Sequence, residues 1–233
     1  LEVPESVRGM ISNKIDALPE EDRRALEYAS VEGEEFTSTV LARLLEIDEL
    51  FLEERLDRVK KAHGLLRMLG EKQLPDGSLT TRYQFTHALY QNALYAALLP
   101  KRRALLHRQA GEELLTRHGC EAPRIAASLA THFELGRDLP RAIDFWIQAG
   151  DNAVRRFDNS VAIDHYSRGL GLCGQLPAEK KTGRESTLYG RRARAHQAMA
   201  WFPKAERDYK AMLERARADG EPLGTPQPVD RVM

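Results

Sequence analysis

Apolar residues fall at helical spacing along nearly the whole chain, and that spacing breaks once. Val7, Met10, Ile11, Ile15 and Leu18 recur three and four apart, which predicts a first helix over residues 3–18. Pro19 followed by Glu20, Glu21 and Asp22 reads as a helix start, with proline in the first turn and acids against the positive end of the dipole. That second helix runs through Leu26 and Ala29, and Gly33 stops it. A third, Phe36 to Ile47, places Val40, Leu41, Leu44 and Leu45 on one side, with Thr37 to Thr39 as cap candidates. A fourth starts near Glu49, turns Leu52, Leu56 and Val59 inward, and ends at His63-Gly64.

The break is the stretch LLRMLGEKQLPDGSLTTRYQF, residues 65–85. Pro75-Asp76-Gly77 lies between two extended arms, and glycine supplies the positive φ that a hairpin turn needs. Three helices followed by a hairpin is the layout of a winged helix-turn-helix domain, with the hairpin as the wing and Phe85 ending its return strand. The next residues, RYQFTHALYQNALY, pass from strand to helix with His87 at the only such junction the pattern predicts.

Beyond the junction the pattern is helical again. Ala88 to Leu99 packs through Leu89, Leu94 and Leu98. Pro100 opens a helix from about Lys101 to Arg117 that stops at Gly119. Residues 122–136, 139–156, 159–172, 184–200 and 202–218 predict five more helices, and the Pro- and Gly-rich stretch 219–233 reads as a tail.

The later helices resemble a degenerate tetratricopeptide array. Trp146, Ala149, Gly150 and Ala153 match one repeat signal, and Ala162 with Tyr166 falls on the second helix. Phe202, Ala205 and Tyr209 repeat the signal, and Leu139, Ala142, Trp146 and Ala149 form an overlapping match. The overlap leaves the register open, and the step from Ala162 to Ala205 exceeds an ideal repeat.

Charge and motifs narrow the function classes. Lys plus Arg and Asp plus Glu are both 35, so there is no basic excess of the kind that a nucleic-acid binder carries. The would-be recognition helix, residues 48–64, opens with Asp48, Glu49, Glu53 and Glu54, which DNA phosphates would repel. No run of about 18 apolar residues predicts a membrane span. Cys120 and Cys173 fit no ligand spacing and read as the ordinary thiols of a cytoplasmic protein.

The histidines at 63, 87, 107, 118, 132, 165 and 196 form no metal motif, so no metal ligand or catalytic residue is assigned. GLGLCGQL at 169–176 mimics a phosphate loop, but Gln175 replaces its lysine, so this chain is not expected to hydrolyse ATP. The basic stretch GRRARAHQ, 190–197, reads as a solvated helix face, with an acidic partner as the alternative.

Three segments in order, VPESVRGMISNKIDALPEEDRRALEYASVEGEEF, YQFTHALYQNALYAALLPKRRALLHRQAGEELL and ASLATHFELGRDLPRAIDFW, resemble the region after the ATPase domain in bacterial STAND-class signal-transduction ATPases. The likeness covers residues 3–175, and Phe85, His87, Leu89, Ala93, Leu94 and Tyr95 carry its most specific block.

The resemblance implies a mainly α chain with four parts. A helix at 1–18 would trail from the ATPase domain, followed by a winged-helix domain at 19–99. A helical linker with an α-α superhelix of tetratricopeptide-like helices would occupy 100–218, and a tail 219–233. It also implies a regulator whose winged helix docks on the upstream nucleotide-binding domain of its own chain. A protein or small-molecule signal would bind the repeats. ADP or ATP would be bound by the parent protein, with no cofactor in this portion alone, and His87 would donate to the β-phosphate of ADP. An imidazole N–H suits that role and strengthens on protonation. The helix starting at Ala88 would add its positive dipole end. The competing reading is a free-standing tetratricopeptide-type adaptor with no nucleotide role.

Overall fold

The computed structural model describes residues 5–181 and 183–218, and the starts of α4, α5 and α9 carry side-chain caps. The chain is mainly α, with 74% helix and 9% strand among the described residues. The expected tail at 219–233 lies outside the described residues. The chain forms two compact units. The first comprises residues 1–122 and 131–138, the second 123–130 and 139–233. The helix over 100–118, which the sequence pattern groups with the repeats, lies in the first unit.

The first unit runs α1 (Glu5–Asp16), α2 (Glu20–Ala29), β1 (Glu35–Thr37), α3 (Ser38–Leu45), α4 (Glu49–His63), β2 (Leu66–Gln73), β3 (Leu79–Phe85), α5 (Ala88–Ala97) and α6 (Pro100–His118). α4 shows how local signals fix an element. The Asp48 side chain accepts from the Phe51 amide at 3.0 Å, and Leu52, Leu56 and Val59 bury one face. Gly64 then ends the helix in the left-handed region, φ 63°.

One element differs from the sequence expectation. Phe36, expected in the third helix, lies on β1, which pairs antiparallel with β3 through Phe36 opposite Tyr83. The sheet is therefore three-stranded, ordered β1-β3-β2, and more than a single hairpin. The passage from Thr37 into α3 is a second strand-to-helix junction. The cause is packing. The Phe36 ring stacks on Tyr83 at 5.6 Å and meets Phe85 at 5.3 Å, and it is only 1% exposed. Burying such a side chain contributes roughly 1.5–3 kcal/mol, more than the weak helical preference of three residues.

These rings join Leu26, Leu41, Leu52, Leu56, Leu94 and Leu106 in one core, so α5 and α6 close over the same interior as α2 to α4. Polar ties add to it. Ser38 Oγ and Thr39 Oγ1 both donate to Glu49 Oε1, at 2.6 and 2.8 Å, and the Thr81 amide donates to Ser38 Oγ at 2.9 Å. α3, the start of α4 and β3 are thereby fastened together.

The second unit contains α8 (Leu139–Arg155), α9 (Asn159–Cys173), the short α10 (Ala178–Lys181), α11 (Arg184–Ala198) and α12 (Phe202–Ala218). A 3-10 segment (Gly119–Ile125) and α7 (Ala126–Leu135), lying between α6 and α8 along the chain, each contribute residues to both units. α8, α9 and α12 are each entered through the same turn. A residue in the left-handed region, Arg137, Phe157 or Ala200, is followed by an amide that bonds back five residues: Asp138 to Phe133, Asp158 to Ala153 and Trp201 to His196. Five positions beyond each left-handed residue stands a buried alanine, Ala142, Ala162 or Ala205. The helices pack closely where glycine faces a side chain, Gly150 against Tyr166, Gly169 against Leu188 and Gly190 against Met212.

Candidate functional site

The strand-to-helix passage after β3 is held from both sides. The Phe85 amide donates to the Glu34 carbonyl at 2.9 Å. The Thr86 amide donates to the Leu65 carbonyl at 2.9 Å, and its hydroxyl reaches the carbonyls of Gly64 and Leu65 at 3.1 and 3.2 Å. The corner between α4 and β2 thus anchors the junction. On the other side, Gln91 Nε2 donates to the Ser30 carbonyl at 2.8 Å, tying α5 to the end of α2.

His87 stands between these anchors as the N-cap of α5, with extended backbone at φ −149° and ψ 136°. Its Nδ1 accepts from the Leu89 amide at 3.1 Å. An acceptor nitrogen carries no proton, so the ring of the capped state is the neutral tautomer with its hydrogen on Nε2. The residue is exposed, and Nε2 has no hydrogen-bond partner among the described residues. This alters one sequence expectation, since protonating Nδ1 to strengthen the donor would break the cap.

The other residues of the same block have packing roles. Phe85 and Leu94 are core residues at 2% and 1% exposure, and Leu89 and Ala93 are half-buried. The Tyr95 hydroxyl meets His107 Nε2 at 2.9 Å. His87 alone in the block is exposed.

Tyr95 leads into a buried pair that the sequence pattern did not reveal. His107 Nδ1 lies 3.1 Å from His132 Nδ1, with the rings 5.2 Å apart. One proton serves that contact. Burial drives His107 down to about 3, helped by the charges of His132 and Arg103, and burial drives His132 down to about 4. Both rings are therefore neutral packing elements near neutral pH. His118 Nδ1 instead meets the Leu114 carbonyl of its own helix at 2.9 Å.

A second enclosed group is Glu32, between α2 and β1. It accepts from the Thr37 amide at 3.2 Å and from Thr37 Oγ1 at 3.1 Å. The residue keeps some exposed surface, but its carboxyl end is enclosed, and burial raises its pKa to about 8. Burial likewise raises the Cys173 thiol to about 11, while Cys120 is exposed. Among the described residues no three His, Cys, Asp or Glu side chains gather as metal ligands would, and no helix is long and apolar enough to cross a membrane.

No family model and no solved structure matches the chain. It is 32% identical over 96 residues to a protein of Rhizobium meliloti (strain 1021) carrying the name Uncharacterized protein R02095. The match covers 41% of this chain and spans 9% of that relative's length.

Proposed function

We propose that the chain is the regulatory part of a nucleotide-switched ATPase of the STAND class. The first unit acts as a winged helix that docks on a nucleotide-binding domain, and the second as tetratricopeptide-like repeats that take a protein or small-molecule signal. His87 presents Nε2–H to the β-phosphate of ADP and holds the resting state. Exchange for ATP removes that hold and frees the winged helix.

The observation carrying this reading is His87 itself. It is the exposed residue of a block whose other members are packed, its Nδ1 is engaged by its own helix, and its Nε2 has no partner among the described residues. A neutral N–H beside a helix N-terminus is a sound phosphate donor, because the helix supplies the positive field without a mobile charge. The topology supports it too: α2, α3 and α4 precede the β2–β3 hairpin, as a winged helix requires. For the second unit, the repeated left-handed turn and buried alanine support stacked helix pairs. Similarity to a small part of a much longer relative fits a regulatory segment of a multidomain protein.

The test is to express the complete reading frame that encodes this chain and assay the purified protein for bound adenine nucleotide. The reading expects a phosphate-loop motif upstream of residue 1 and co-purifying ADP. A frame without such a motif, yielding protein free of nucleotide, would leave the adaptor reading in its place.

A further inference from the structure

We propose that the groove between the start of α4 and the β2–β3 hairpin is a docking site for a basic, leucine-bearing segment of a partner protein. Glu49, Leu50, Glu53, Glu71, Leu79 and the threonines 80 and 81 line a groove of about 220 Å³.

Three observations carry the proposal. Leu50 and Leu79 are 73% and 61% exposed, so two large apolar side chains flank the groove instead of joining the core. Three of the lining residues are glutamates and none is a cation; Lys72 and Arg82 lie on the same strands but outside the lining. Glu53 and Glu71 meet no ion-pair partner among the described residues. Tyr83 registers the same negative field, its hydroxyl pushed up to about 12 by burial, with the charges of Glu53 and Asp57 adding to it.

The floor is already built. Glu49 Oε1 is held by Ser38 and Thr39, and the Thr39 amide donates to Thr80 Oγ1 at 3.3 Å. A ligand therefore meets a fixed surface and loses little to ordering it. Charge complementarity chooses the occupant. Lysine or arginine would meet Glu53 and Glu71, and an apolar side chain between them would cover Leu50 and Leu79. DNA is the occupant the charge excludes, although this face of a winged helix is the one that would approach a groove. The site lies at the opposite end of β3 from His87, so it stands or falls independently of the nucleotide reading.

The experiment uses a short fluorescein-labelled peptide of alternating lysine and leucine, read by fluorescence anisotropy against the full chain at physiological ionic strength. Two comparison peptides alternate lysine with serine and glutamate with leucine. The wild-type chain is expected to bind the lysine–leucine peptide at least about tenfold more tightly than either comparison. The pairs Glu53→Gln/Glu71→Gln and Leu50→Ser/Leu79→Ser should each weaken it about tenfold, with unchanged circular dichroism. Equal binding by these variants, or equal binding of the lysine–serine peptide, would overturn the proposal.

Discussion

Arg184 meets Asp144 with two nitrogens, Nε and Nη2, each 2.9 Å from a different carboxylate oxygen. Seven residues further along both helices, Arg191 pairs with Asp151. The two rungs share one offset, so α8 and α11 run in the same direction. The short α10 lies between α9 and α11 along the stretch from Ala162 to Ala205.

Exposure decides how much each ion pair contributes. Asp144 is 46% exposed, so Asp144→Asn should cost less than about 1 kcal/mol. Asp208 is 5% exposed and takes both Arg192 Nε and Nη2 at 2.7 Å, so Asp208→Asn, which strands a guanidinium, should cost about 3 kcal/mol. Urea unfolding of the two variants checks this, and equal losses would contradict it.

Two glycines give a matched pair. A Cβ at Gly150 would overlap the Tyr166 ring, whereas one at Gly171 meets nothing within 4 Å. Gly150→Ala should therefore destabilise by about 1–3 kcal/mol. Gly171→Ala, inside α9, should stabilise by about 0.5–1 kcal/mol. Thermal unfolding separates them, and a stabilising Gly150→Ala would show that α8 and α9 are not in this close contact.

The buried titratable groups of the first unit predict an optimum near neutrality. His107 and His132 stay neutral in the fold down to about 3 and about 4, below their ordinary 6.5, so the unfolded chain binds more protons. Stability from them is complete above pH 6.5 and lost as pH falls through the folded values. Glu32 has the opposite sign. Its pKa rises from 4.5 to about 8, so its contribution is complete below 4.5 and lost as pH rises toward 8. Thermal scans should show a maximum at roughly pH 6.5, with Glu32→Gln flattening the alkaline limb and steepening the rise between pH 4.5 and 6.5. An unchanged alkaline limb in that variant would rule out Glu32 as its source.

Local signals made most of the helices legible. The start of α4 near Glu49, its end at Gly64 and the opening of α6 at Pro100 stand as the sequence alone predicts, while the capping role of Asp48 was not read there. The features that escaped depend on partners distant in sequence. Glu35–Thr37 is too short to show a strand period, and only pairing with Tyr83 makes it one. His107 and His132 are 25 residues apart, so nothing along the chain announces their contact. The placement of α6 was hidden because Leu106 and Ala110 fit a helical period whichever unit they face. At the candidate site the position of His87 was legible. Its tautomer was not, since that follows from the 3.1 Å bond to the Leu89 amide.

The central claim is that the Nε2–H of His87 holds the nucleotide. Calorimetric titration of ADP into the intact parent protein, wild type against His87→Asn, tests it most directly. Asparagine is a strong N-cap and should keep α5 intact, while its shorter amide does not reach where the imidazole reaches. The account predicts unchanged thermal stability without nucleotide, and an ADP affinity lower by about tenfold or more, the worth of one charge-assisted hydrogen bond. Equal ADP affinity in the two proteins would contradict it.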